Sequence, residues 1–241
     1  MAEAAPVFIG YDSREHDAYE VCRACLLRHS SVPLLIQPLH EPSLRHIGLY
    51  SRDWLIEDGQ RRDVGDGKPF STLFSFSRFL VPSLMQHRGR AIFVDCDFLF
   101  TADIAELFSR MSPDLAVQVV KHRMPEVAGT KMDGQRQEPY FRKNWSSLIA
   151  WNCDHPANQR LTPDVVNRSS GQWLHGFSWL DNHEIGDIDP SWNWLAGVDA
   201  PLPGSEVPKA VHFTLGVPSM AGHENAPFAD LWRDELGRAG G

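Results

Sequence analysis

Asp95-Cys96-Asp97 follows directly on Ala91-Ile-Phe-Val94, an apolar run of the kind that forms a buried strand. Two carboxylates at the end of such a strand are costly unless they are paired or hold a cation. If the extended geometry persists, alternation points both to one side, where their hard oxygens suit Mg²⁺ or Mn²⁺. The carboxyl ends of strands are also where ligands bind in open α/β sheets. Helix capping or local salt bridges are the alternative use of these acids. A second copy, Asp187-Ile-Asp189, stands between Gly186 and Pro190 with no apolar strand before it, and its spacing predicts a turn.

The four cysteines, Cys22, Cys25, Cys96 and Cys153, are too few and too scattered for a disulfide framework. Cys22 and Cys25 form a C-x-x-C, but within a helical pattern that sets them on an apolar face with Ala18 and Leu26. No second pair completes a zinc site. Core-facing thiols are the expectation.

These residues need a frame. Val7-Phe-Ile-Gly10 reads as a first strand, and Asp12-Ser-Arg-Glu15 has the spacing of a capping box opening a helix to about residue 29. Pro33-Leu-Leu-Ile-Gln37 reads as the next strand, and this β-α-β order predicts a parallel, Rossmann-like sheet. Residues 51–69, rich in Gly, Asp and Arg, read as an exposed, mobile loop. Residues 71–86 carry apolar positions at 73, 76, 79 and 80 and predict an amphipathic helix. Further strands are expected at 91–94, 115–120, 147–151 and 207–214, with a closing helix at 226–236. The 121–145 stretch reads as a second long loop, a candidate lid.

The chain has 241 residues and a net charge of −8, which argues against a broad nucleic-acid surface. A small anionic ligand remains compatible if a metal supplies the local positive charge. No apolar stretch approaches the roughly 20 residues that span a bilayer. Met-Ala-Glu-Ala-Ala-Pro lacks the basic region and apolar core of a secretory signal, so a cytoplasmic protein is expected.

Phe76-Ser-Arg78-Phe-Leu-Val-Pro82 leading to Ile92-Phe-Val-Asp-Cys-Asp-Phe-Leu-Phe100 resembles glycosyltransferase family 8 and its bacterial relatives. Trp145-Ser-Ser-Leu-Ile-Ala-Trp-Asn152, Pro190-Ser-Trp-Asn193 and Ala210-Val-His212-Phe-Thr-Leu-Gly216 match further family motifs in order. The resemblance implies an α/β GT-A fold, with a mixed, mostly parallel central sheet flanked by helices. It implies one such domain over 1–241, with a donor-binding half to about 110 and an acceptor- and metal-completing half beyond. It also implies a nucleotide-sugar donor, usually a UDP-sugar, a glycan or small-molecule acceptor, Mn²⁺ or Mg²⁺, and retention of anomeric configuration.

On that basis Asp95, Asp97 and His212 would bind the metal, and Arg78 would lie near the donor sugar and phosphates. Tyr11 and Asp12 would meet the base and ribose, although Asp12 is equally suited to an N-cap. Phe70, Ser71, Cys96 and Gly216 would complete the donor contacts. Ser146 and Ser147 stand where many members carry Asn-Ala-Gly. Asp181 and Glu184 are acidic candidates for the acceptor side or a solvated helix face, and Asp181 would be the first suspect for a general base if the product were inverted. A lysine that many members carry after the C-terminal motif is absent from Val217-Pro-Ser-Met220. Two alternatives stay open: a haloacid-dehalogenase-type phosphatase with Asp95 as nucleophile, and a non-catalytic nucleotide- or glycan-binding relative.

Overall fold

The computed structural model describes residues 4–122, 130–131, 135–136 and 142–239. Strand β1 (Ala5–Tyr11) is followed by a 3₁₀ turn, Ser13–Glu15, helix α1 (His16–His29) and strand β2 (Leu34–His40). β1 and β2 run parallel, as the β-α-β reading expects. β2 is the sheet's edge, which is where Pro38, with no N–H to give, can sit inside a strand. Cys22 and Cys25 are fully buried on α1, in the core as expected.

Helix α2 (Glu41–His46) leads into the first departure. Residues 51–69 hold a three-stranded antiparallel sheet, β3 (Trp54–Glu57), β4 (Gln60–Asp63) and β5 (Pro69–Phe70), rather than a loop. Glu57 pairs with Gln60 across Asp58-Gly59, both at positive φ, the two-residue hairpin turn for which Asp-Gly is suited. Nor is the segment exposed throughout: Arg52 and Asp63 are buried and joined at 2.7 Å.

The helix expected over 71–86 is broken. Ser77–Leu80 is a 3₁₀ turn, and α3 (Val81–Leu84) is a single α turn. Pro82 has no N–H for a continuous helix and is tolerated only where a helix begins, so the chain restarts there.

Next come β6 (Arg90–Val94), β7 (Phe98–Phe100), α4 (Ala105–Ser109), β8 (Val117–Val119), the pair β9 (Thr130–Lys131) and β10 (Gln135–Arg136), and β11 (Leu148–Asn152). Helices α5 (Pro163–Arg168) and α6 (Gly171–His175) precede β12 (Ile185–Asp187), β13 (Trp194–Leu195), β14 (Ala210–His212) and α7 (Ala229–Ala239). The last strand and helix are shorter or later than expected. Pro208 lies just before β14, and α7 starts only after the turn ending at Phe228. Residues 123–129, 132–134 and 137–141, most of the lid expected at 121–145, lie outside the described residues.

The main sheet has the order β12-β8-β11-β6-β1-β2. β11 runs antiparallel to both β6 and β8, and the other pairings are parallel, so the sheet is mixed and mostly parallel. A second sheet, β13-β14-β7, carries the chain beyond the end of β6. No described helix is long and apolar enough to cross a membrane.

Candidate metal and donor site

β6 is buried and enters the main sheet between β1 and β11, so its carboxyl end lies beside that of β1. Asp95 and Asp97 stand there. The Asp95 N–H donates to the Ser147 carbonyl at 2.8 Å, which ties the turn to the start of β11. After the turn the chain re-forms as β7, and β14 pairs with it so that His212 lies opposite Phe98. The Phe98 and His212 rings stack with centroids 4.4 Å apart, and the Phe213 N–H donates to the Asp97 carbonyl at 2.9 Å. Strand register, not sequence proximity, brings His212 to the two acids.

One ligand atom from each of Asp95, Asp97 and His212 lies within 4.8 Å of the others. His212 Nε2 is 3.3 Å from Asp97 Oδ2, and His212 Nδ1 is 2.8 Å from Asn193 Oδ1. Two carboxylates and an imidazole form a donor set that could hold a divalent cation. The two carboxylate side chains keep 13% exposure each, so the cluster is reachable from solvent.

Arg78 sits under this cluster, buried on the 3₁₀ turn before α3. Its Nη1 is 2.7 Å from Asp95 Oδ1 and donates to the Ser146 carbonyl at 2.8 Å, and its guanidinium lies over the Phe93 and Phe74 rings. Gly10 makes room for this support: a Cβ there would lie 2.3 Å from the Phe74 ring. Ser147 contributes its carbonyl to Asp95, and Ser146 Oγ bonds His175 Nδ1 at 2.8 Å.

Glu15 departs from its expected capping role. Its buried carboxylate accepts from the Cys96 thiol at 3.1 Å instead of reaching back to Asp12. Burial first, then the charge of Asp97, push the Glu15 carboxyl up to about 7, and Asp12 and Asp95 push the same way. Burial also holds the Cys96 and Cys22 thiols well above the ordinary cysteine value. Cys96 faces the interior with Glu15.

Asp12 caps the Ser13–Glu15 turn through the Arg14 N–H. Its carboxylate also pairs with Arg14 at 3.2 Å and Arg61 at 2.7 Å, and accepts from the Leu73 N–H. Burial raises this carboxyl, but the hydrogen bonds from Arg14 and Arg61 outweigh that and hold it below the usual range. Both arginines also donate to the Ser71 carbonyl, so Asp12 and Ser71 share one latch between β1 and β4. Tyr11 ends β1 with its ring edge-on to Tyr19 and His40, and Phe70 packs edge-on against Trp54 and Phe76.

Asp181 and Glu184 form a capping box on the Asn182–Glu184 turn that leads into β12. β8 and β11 separate β12 from β6, and the structure does not bring these acids into the Asp95–Asp97 cluster. In the second Asp-x-Asp, Asp187 ends strand β12, which the turn reading missed, and Asp189 caps the Pro190–Asn193 turn. Gly216 has φ +148°, and a Cβ there would lie 2.4 Å from the His223 ring. His223 therefore occupies the space beside it.

Sequence reading assigned no role to Arg14, Arg61, Asn193 or His122. The only signal for Asn193 was its place in the Pro-x-Trp-Asn motif. His122, beyond β8, hydrogen-bonds to Asn193 and is held below the usual histidine range, by burial first and despite Asp199.

No protein-family model matches the chain. Over 232 residues it is 44% identical to Protein CDI of Arabidopsis thaliana, covering 95% of this chain and 85% of that protein. The chain belongs to the CDI family. Among solved structures, this CDI-family chain superposes on the apo bifunctional glycosyltransferase WbbM with a TM-score of 0.62, at 13% identity, over 98% of its own length and 50% of WbbM. The apo glycosyltransferase GlyE of Streptococcus pneumoniae TIGR4 gives 0.61 at 16% identity, with 97% and 60% covered. The chain thus spans 50–60% of the length of these two. The galactosyltransferase LgtC, in complex with donor and acceptor sugar analogs, gives 0.55 at 11% identity, with 97% and 95% covered. At such identities the likeness is one of fold: the CDI-family chain has the GT-A fold of these glycosyltransferases. That fold sets aside the haloacid-dehalogenase alternative, which needs a different scaffold.

Proposed function

We propose that the chain is a glycosyltransferase that moves a sugar from a nucleoside-diphosphate donor, UDP-sugar by the family 8 resemblance, to an acceptor hydroxyl with retention. The observation that carries the reading is the convergence of Asp95, Asp97 and His212 at the carboxyl end of β6, in a glycosyltransferase fold.

Asp95, Asp97 and His212 are the residues that would hold Mn²⁺ or Mg²⁺. Such a cation supplies Lewis-acid neutralisation of the leaving diphosphate's charge. Arg78 acts through Asp95, fixing that carboxylate from below while the Phe74 and Phe93 rings exclude water from the pair. The parallel pairing of β1 with β6 supports the reading that the base would lie toward Tyr11 when the diphosphate is at Asp95 and Asp97. For retention we favour front-face attack, in which the leaving phosphate takes the acceptor's proton. Double displacement would need a carboxylate beneath the anomeric carbon.

A UDP-sugar panel with Mn²⁺ and varied acceptors tests this. Released UDP and an NMR coupling constant showing the donor's anomeric configuration in the first product are expected. UDP binding without turnover on any acceptor would favour the non-catalytic alternative, and an inverted product would overturn retention.

A further inference from the structure

His212 has two ring nitrogens, and only one can face the acids with a lone pair. Asn193, wholly buried like His212, decides which. Besides His122, whose ring can donate or accept, the Asn193 side chain reaches two partners that decide its orientation: Nδ2 donates to the Asn144 backbone carbonyl at 3.4 Å, and Oδ1 is 2.8 Å from His212 Nδ1. A carbonyl can only accept, so the amide nitrogen belongs at Asn144 and the amide oxygen at His212. The reverse orientation would set two oxygens against each other. An amide oxygen also only accepts, and therefore His212 Nδ1 must carry a proton.

We infer that Asn193 is a positioning residue that locks His212 in its Nδ1–H tautomer, so that Nε2 presents a lone pair toward Asp97 for a divalent cation. The inference rests on the cation-centre reading above. A neutral imidazole with its other nitrogen hydrogen-bonded is the usual form of a metal-ligating histidine, and the partner fixes both tautomer and ring orientation. The backbone holds Asn193 to the task from both sides. Asp189 Oδ1 accepts from the Ser191 N–H and caps the Pro190–Asn193 turn. β13 then pairs with β14 so that Leu195 lies opposite His212. Asn144, at φ 62° and ψ 1°, caps the Trp145–Ser147 3₁₀ turn before β11, and the Ser146 and Ser147 carbonyls of that turn hold Arg78 and Asp95. Asn193 thus joins the metal histidine to the segment that supports the acids.

The test combines a spectroscopic and a binding measurement. Long-range ¹H–¹⁵N NMR on wild type in chelator at pH 8, with His212 assigned from His212→Gln, reads the tautomer. The Nδ1–H form is expected, and the Nε2–H form overturns the inference even if the cation centre is real. Binding of Mn²⁺ alone, followed by the EPR signal of the free ion, is then compared across variants. Asn193→Leu removes the acceptor and should weaken Mn²⁺ binding roughly ten- to hundredfold. Asn193→Asp keeps the acceptor but loses the donor to Asn144, so it should retain the Nδ1–H signal and bind Mn²⁺ more tightly than Asn193→Leu. Mn²⁺ binding by Asn193→Leu equal to wild type overturns the inference. Should that variant not fold, the wild-type tautomer and the Nδ1–H signal of Asn193→Asp still decide. Wild type that binds no Mn²⁺ removes the cation-centre reading, and the inference with it.

Discussion

Two acidic sites lie at the carboxyl ends of the neighbouring parallel strands β1 and β6, and they are built in opposite ways. Asp12 is one carboxylate, wholly buried, between two guanidiniums and two backbone N–H groups. Asp95 and Asp97 are two carboxylates, partly exposed, converging with an imidazole and backed by a third acid, Glu15. The first arrangement satisfies its charge internally and latches β4 onto β1. The second gathers like charges where solvent can reach them. An internally satisfied carboxylate stabilises a fold, whereas in the proposed function the gathered set, with Arg78 already on Asp95, serves a cation.

The largest expected effect comes from breaking the latch. Asp12→Ala leaves the part-buried Arg61 facing no carboxylate, and removing one partner of a buried pair costs about 3–5 kcal/mol. Urea unfolding at pH 7 should show that loss while Mn²⁺ still raises the melting temperature. A loss under 1 kcal/mol, or an abolished metal response, would erase the distinction between the sites.

Glu15→Gln sharpens the other side. The carboxyl is raised from 4.5 to about 7 in the folded protein, so between those values the folded state binds more protons than the unfolded one. Stability in chelator should therefore fall as pH rises from 4.5 through 7, by about 3 kcal/mol in full. The Gln variant should lack that slope and be the more stable protein at pH 8. Parallel stability curves from pH 5 to 8 would show that Glu15 does not feel the acids beside it.

Gly216→Ala is smaller. Its φ of +148° disfavours a side chain, and the new Cβ would press on His223, a strain of about 1–3 kcal/mol. Combining it with His223→Ala should recover the part due to the clash. No recovery would mean that backbone strain alone accounts for the loss.

The elements that place the candidate metal site were legible because their signals are local. Ala91-Ile-Phe-Val94 is an uninterrupted buried strand, and the acids follow it directly in the chain. His212 became legible only through its motif, since the register of β14 on β7 joins it to Asp97 across 115 positions of sequence. Other features were overridden by tertiary contacts or misread from composition. Asp58-Gly59 is a hairpin signal that the Gly- and Asp-rich surroundings of 51–69 concealed. Helical periodicity over 71–86 was genuine as a burial pattern, but Pro82 broke the hydrogen bonding beneath it. Glu15 has capping-box spacing, yet packing turns it to Cys96. Asn193 gave no sign of its partner, because a buried amide's role depends on what lies opposite it in space.

In the proposed function, Asp95 and Asp97 bind the donor through a cation. Isothermal titration of UDP into wild type and Asp97→Asn, each with and without Mn²⁺, tests it most directly. Wild type should bind UDP far more tightly with Mn²⁺ than without. Asp97→Asn should keep its melting temperature in chelator and lose roughly ten- to hundredfold in Mn²⁺-dependent affinity, the scale of one charge-assisted contact. Equal affinity of the two proteins for UDP in Mn²⁺ would contradict the account.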